Sequence, residues 1–122
     1  MEHSSAFLAL VNEARKNIKE VSINDVREMM DESRDFALID VREESEWSRG
    51  HIAGAVYLGK GIIERDIERF IPDTSKEIVM YCGGGFRSVL TTETLQKMGY
   101  PKVYSMAGGW REWKESGFAI ET

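Results

Sequence analysis

Three four-residue stretches constrain what this chain can fold into: Phe36-Ala37-Leu38-Ile39, Ile78-Val79-Met80-Tyr81 and Val103-Tyr104-Ser105-Met106. They read as strands, and the first two carry no charged or strongly polar position. A strand with no polar face has to be covered on both sides. Between the strands lie segments with helical periodicity. Phe7, Leu10, Val11, Ala14 and Ile18 recur at helical spacing, with Glu13, Arg15, Lys16 and Asn17 among them. Ser22 reads as an N-cap, with Asp25 three residues on and Val21 and Val26 placed to staple the turn, opening a short helix through Met29 and Met30. Ile62, Ile63, Ile67 and Phe70 predict another helix, stopped before Pro72. Ser88 to Met98 predicts a further one ending at Gly99, and Trp110 and Trp113 share a face of a last helix between Gly108-Gly109 and Gly117. Glu43 to Trp47 predicts a helical turn, and residues 50–55 a loop into a short strand at Val56-Tyr57-Leu58. Short buried strands alternating with helices predict an α/β domain with a mainly parallel sheet.

A chain of 122 residues, 42% hydrophobic and 30% charged, fits one domain with one core. Residues 1–20 are expected to form an amphipathic helical extension, its helix running Ser4 to Lys19, and residues 21–122 the domain proper. The helix's apolar stripe has two readings at this stage, packing on the domain or meeting a partner. A net charge of −5 argues against general nucleic-acid binding. With one cysteine there is no intrachain disulfide, and with only His3 and His51 beside it no structural metal site is expected. The apolar stretch Ala6 to Val11 is short and runs straight into Asn12-Glu13-Ala14-Arg15, unlike a signal peptide or a membrane span. The expected location is the reducing cytoplasm, which keeps a lone thiol free.

That thiol is Cys82, and its setting predicts reactivity. It ends an apolar run, Gly83-Gly84-Gly85-Phe86-Arg87 follow, and a helix is expected from Ser88. Glycines let the backbone curl so that several N–H groups point at one spot. The helix N-terminus adds partial positive charge, and Arg87 a full one. Such a cradle favours the thiolate, which is the nucleophile, and also suits an anionic reactant. In parallel sheets ligands bind beyond the strand carboxyl ends, where both Cys82 and Asp40 stand. The loop lacks the lysine of a nucleotide-binding P-loop.

Four motifs together resemble the rhodanese family of sulfurtransferases: Leu38-Ile39-Asp40-Val41-Arg42-Glu43 with Glu46-Trp47, then Gly50-His51-Ile52-Ala53-Gly54-Ala55, then Cys82 to Arg87 entering a helix at Ser88, and Gly108-Gly109-Trp110. The resemblance covers about Val21 to Ala119. It implies a rhodanese-like three-layer α/β domain with helices flanking a central, mainly parallel sheet. It also implies that Cys82 takes a sulfane sulfur from a donor such as thiosulfate, becomes a persulfide, and passes the sulfur to cyanide or a thiol. The N–H groups of Gly83, Gly84, Gly85, Phe86 and Arg87, with Ser88 opening the helix, then cradle the persulfide. No cofactor, nucleic acid or membrane is called for. The alternatives are a sulfur relay to an acceptor protein and a rhodanese-fold phosphatase. Four residues separate Cys82 from Arg87, and phosphatases of this fold have a loop one residue longer, so sulfur transfer is favoured. On the same resemblance Asp40 is expected to order the loop through hydrogen bonds, and Arg42 to be paired structurally. His51 is expected to be a structural hydrogen-bonding residue. Phe86 is the loop's one bulky uncharged residue, so the charge for an anionic donor is expected from Arg87 and from Lys60 in the Gly59-Lys60-Gly61 turn.

Overall fold

The computed structural model describes residues 2–122. Ser4 starts the first helix, its hydroxyl accepting the Phe7 N–H at 3.2 Å, and α1 runs Ser5–Arg15. It is shorter than the expected Ser4 to Lys19 because the chain leaves the helix to add strand β1 (Lys19–Val21) to the sheet. Helix α2 (Ile23–Asp31) opens on a closed capping box: the Ser22 hydroxyl takes the Asp25 N–H, and the Asp25 carboxylate takes the Ser22 N–H. There follow β2 (Ala37–Asp40), the single turn α3 (Glu44–Trp47), β3 (His51–Ile52), β4 (Val56–Tyr57) and α4 (Ile63–Phe70). The chain continues through β5 (Ile78–Tyr81), α5 (Arg87–Lys97), β6 (Val103–Met106), α6 (Gly109–Glu115) and β7 (Ile120–Glu121).

Five strands form one parallel sheet in the order β1-β6-β5-β2-β4. A separate antiparallel ribbon joins β3 to β7. Part of the stretch expected as a loop at residues 50–55 is therefore strand, tied to a C-terminal segment whose two residues carry no periodicity of their own.

Side chains along the two central strands alternate between two cores, as the period of a strand requires. Ile39, Ile78 and Met80 pack with Ile63 and Ile67 of α4 and Leu95 of α5. Leu38, Val79 and Tyr81 pack with Ile23, Val26 and Met29 of α2 and Trp113 of α6. Covering both faces is what the uninterrupted apolar runs demand. Outside α5 lies α1, with Val11 and Ala14 buried against Val89. Gln96 Nε2 donates to the Asn17 carbonyl, and Asn17 Nδ2 donates to Glu93, which ties down the chain just beyond α1. Packing thus accounts for Val11 and Ala14, while Leu10 stays exposed at 58%.

Candidate active site

Cys82 follows β5 directly, and α5 begins at Arg87. The chain reverses between them because Gly85 adopts φ +92°, a region that favours glycine. A Cβ on Gly85 would also meet the Gly108 nitrogen at 3.2 Å. The reversal brings the Gly85 N–H to the Cys82 Sγ at 3.2 Å, and the first turn of α5 brings the Ser88 N–H at 3.3 Å. N–H groups of a first helical turn have no acceptor inside the helix, so the sulfur takes up a donor that would otherwise be spare. The thiol donates to the Ser88 Oγ at 3.5 Å, and that hydroxyl is hydrogen-bonded to Ser105 Oγ at 2.8 Å. The sulfur is 1% exposed as part of its residue, so its surroundings are these dipoles and not bulk water. Fixed N–H dipoles and a helix N-terminus stabilise negative charge on sulfur without rearrangement.

The loop is gripped on its other side. Trp110 N–H donates to the Cys82 carbonyl at 2.8 Å and Arg111 N–H to the Gly83 carbonyl at 3.0 Å. Gly109, at φ +57°, makes this approach possible. A Cβ there would stand 2.4 Å from the Cys82 oxygen and 2.8 Å from the Gly83 oxygen.

Arg87 does not stand as a free charge. Its guanidinium makes a two-pronged pair with Glu46 of α3, at 2.8 and 3.1 Å. Glu46 also accepts the Glu43 N–H at 3.0 Å. The Arg87 hydrogen bonds hold the Glu46 carboxyl below the usual carboxylate range, against the effect of its partial burial. The reciprocal bond raises Arg87, again against burial, and the nearby Cys82 adds to the rise.

Asp40 and Arg42 are both buried. Asp40 does not reach the loop as expected. Its carboxylate takes the Arg42 backbone N–H at 3.0 Å and the Arg42 guanidinium at 2.7–3.0 Å. Arg42 also donates to the Gly50 carbonyl at 2.7 Å, and its guanidinium lies 4.8 Å from the Trp110 ring. Burial works against the Arg42 charge, but the bonded Asp40 outweighs it and the pKa is raised. Asp40 is paired in the sheet with Tyr81, the residue before Cys82, while its carboxylate is taken up by Arg42. Burial, with Asp40 nearby, pushes the Tyr81 hydroxyl up, and the Ile52 N–H donates to it at 3.1 Å. His51 lies outside the cleft described next: its ring stacks on Trp47 at 3.5 Å and its Nδ1 lies 3.3 Å from the Trp47 carbonyl.

Cys82 opens onto a cleft of about 490 Å³. Its lining combines Cys82, Gly83 and Gly84 with the charged side chains of Glu46, Arg87 and Arg111 and the aromatic rings of His3, Phe7 and Phe86. Lys60 is exposed and is not part of the lining; its backbone N–H bonds the Val41 carbonyl. The extra cation at the cleft is Arg111. The signal for it was its position directly after Gly108-Gly109-Trp110, whereas nothing local in the sequence marks His3, Phe7 or the partner role of Glu46. Among the described residues no cluster of His, Cys, Asp and Glu could hold a metal ion, and no helix is long and apolar enough to cross a membrane.

Residues 22–116 match the family model Rhodanese, a rhodanese-like domain. YrkF of Bacillus subtilis (strain 168), provisionally named a sulfur carrier protein, is 30% identical over 112 residues. That match covers 92% of this chain, which spans only 56% of YrkF. The thiosulfate sulfurtransferase GlpE of Coxiella burnetii (strain RSA 331 / Henzerling II) is 32% identical over 81 residues, 66% of this chain and 74% of GlpE. Among solved structures, RPA3614 of Rhodopseudomonas palustris CGA009 superimposes with a TM-score of 0.86 at 29% identity, covering 99% of this chain and 98% of that one. It is described as a protein of unknown function for which tyrosine phosphatase activity is suggested.

Proposed function

Because the chain belongs to the rhodanese-like domain family, we propose that it is a sulfurtransferase working through a persulfide on Cys82. It moves a sulfane sulfur from a donor such as thiosulfate to a thiophilic acceptor such as cyanide or a thiol. The observation that carries this reading is the pair of N–H groups, from Gly85 and Ser88, on the sulfur of Cys82, a residue that lines the cleft. In the first step the Cys82 thiolate attacks the outer sulfur of thiosulfate. A new S–S bond forms, the donor's S–S bond breaks, and sulfite leaves with the electron pair. In the second step the acceptor attacks the outer sulfur of the persulfide, and the Cys82 thiolate leaves unchanged. Both steps need charge held on sulfur, which the Gly85 and Ser88 dipoles supply, and neither needs a general base once the thiol is ionised. The N–H groups of Gly83, Gly84, Phe86 and Arg87 are assigned to the outer sulfur. Arg111 is assigned to the anionic part of the donor, with Arg87 and Glu46 bracing the loop's edge. A reducing cytoplasm suits this cycle because it keeps Cys82 free.

Intact mass before and after thiosulfate tests the reading. Wild type should gain one sulfur atom and lose it on addition of cyanide, and Cys82→Ser should gain none. Failure to load sulfur from thiosulfate, mercaptopyruvate and an organic persulfide alike would overturn it. Delivery to an acceptor protein is a second reading, supported by the likeness to YrkF. Phosphate-ester hydrolysis is supported by the likeness to RPA3614 and is disfavoured by the four-residue spacing between Cys82 and Arg87. Cys82-dependent phosphate release from an aryl phosphate would decide for it.

A further inference from the structure

We propose that the beginning of α1 is part of the donor site. On the sulfurtransferase reading above, His3 and Phe7 join Phe86 in an aromatic wall that selects donors whose leaving group carries an aromatic ring beside an anionic sulfur terminus. The His3 ring lies 4.6 Å from Phe86, tilted by 58°, and 5.2 Å from Phe7. Phe7 and Phe86 are 6.4 Å apart. These spacings and tilts are those that aromatic rings adopt in favourable contact. Both His3 and Phe7 precede residues 22–116, the part that matches the family model, so two of the wall's three rings are supplied from outside the matched domain and the third, Phe86, from within it.

Three observations separate a donor wall from simple helix packing. The fully buried anchor of α1 lies further along it, at Val11 and Ala14 against Val89, and Phe7 and Phe86 pack only partly buried at its edge. His3 and Phe7 are instead left half-buried, lining the space that opens above Cys82. That space, about 490 Å³, is in the range that holds drug-sized molecules and is far larger than a five-heavy-atom anion requires. The same cleft is lined by Arg111, which no carboxylate pairs among the described residues, ready for an anionic group. Apolar wall, cation and nucleophilic sulfur thus face one cavity, the arrangement that an aryl thiosulfonate fits. Cys82 attacks its sulfane sulfur, the S–S bond breaks, and the aryl sulfinate leaves with the electron pair.

The test uses the full chain with cyanide as common acceptor and thiocyanate as the readout. The donors are benzenethiosulfonate, methanethiosulfonate and thiosulfate. The first two share charge and reacting atoms and differ in the ring. Wild type should give a higher kcat/KM for the benzene donor than for the methane donor, and Phe7→Ala and His3→Ala should lower that ratio by about tenfold, the scale of an apolar pocket contact. Phe7→Leu, which preserves bulk, keeps the experiment informative if the alanine variant fails to fold. A ratio unmoved in every folded variant, or an equal loss with all three donors, would overturn the wall. Absence of thiocyanate from all donors in wild type would instead overturn the sulfurtransferase reading on which the wall rests.

Discussion

Gly109→Ala should be far more damaging than an added methyl group suggests. The new Cβ would stand 2.4 Å from the Cys82 carbonyl oxygen and 2.9 Å from the Gly83 carbonyl carbon, both of them backbone atoms. No side-chain rotation relieves such a contact, so α6 and the Cys82 loop have to separate. Separation breaks the Trp110 and Arg111 N–H bonds to the Cys82 and Gly83 carbonyls. Two hydrogen bonds at about 1 kcal/mol each, and about 1 kcal/mol for a non-glycine residue at φ +57°, place the loss near 3 kcal/mol. Gly117→Ala is the control: its φ is +76°, but a Cβ there meets nothing within 4 Å, so only the backbone cost applies. With a urea slope of about 1.5 kcal/mol per molar, the midpoint should fall by about 2 M for Gly109→Ala and by about 0.7 M for Gly117→Ala. Sulfur loading of Cys82, followed by intact mass under native conditions, should drop in the first variant and persist in the second. Equal midpoints for the two variants would refute the idea that the loop depends on this close approach.

Arg42→Met should cost about 3–5 kcal/mol, because it leaves the buried Asp40 carboxylate without its partner. The double variant Asp40→Asn/Arg42→Met should recover much of that loss in urea denaturation, and a double variant no better than the single would argue against charge burial as the cause. Glu46→Gln addresses the pH dependence of stability. Arg87 holds the folded Glu46 carboxyl below its ordinary range, so the unfolded chain takes up the proton first. The resulting stability is complete above the unfolded value, about 4.3, and fades as pH falls through the folded value. Wild type should therefore exceed Glu46→Gln at neutral pH, with the gap between their urea midpoints closing on acidification; a constant gap would count against the pairing.

The central strands and the Cys82 turn were legible because their signals are local. Ile78 to Tyr81 can only be buried, and three glycines before a helix can only be a tight turn at its start. The capping box at Ser22 and Asp25 was equally readable, each half being three residues from the other. Strand β1 was not, since Lys19-Glu20-Val21 takes its strand character from β6 and not from its own pattern. Ribbon β3–β7 escaped for the same reason. At the site, the expectation for Lys60 followed from charge and a nearby turn, but the cleft faces α1 and α6. Arg111 fills that place, and only the tertiary fold brings it there. Glu46 was visible as part of a motif, while its pairing with Arg87 joins α3 to the start of α5 and has no signature in either segment.

The parallel pairing of β1 with β6 has a consequence for synthesis. Lys19 to Val21 leave the ribosome well before their partners, Tyr104 to Met106. The helix that follows those partners supplies the N–H groups that grip the Cys82 carbonyl. Cys82 is thus made before the strand and the helix that seat its loop, and it acquires its setting only once they have arrived to close the sheet.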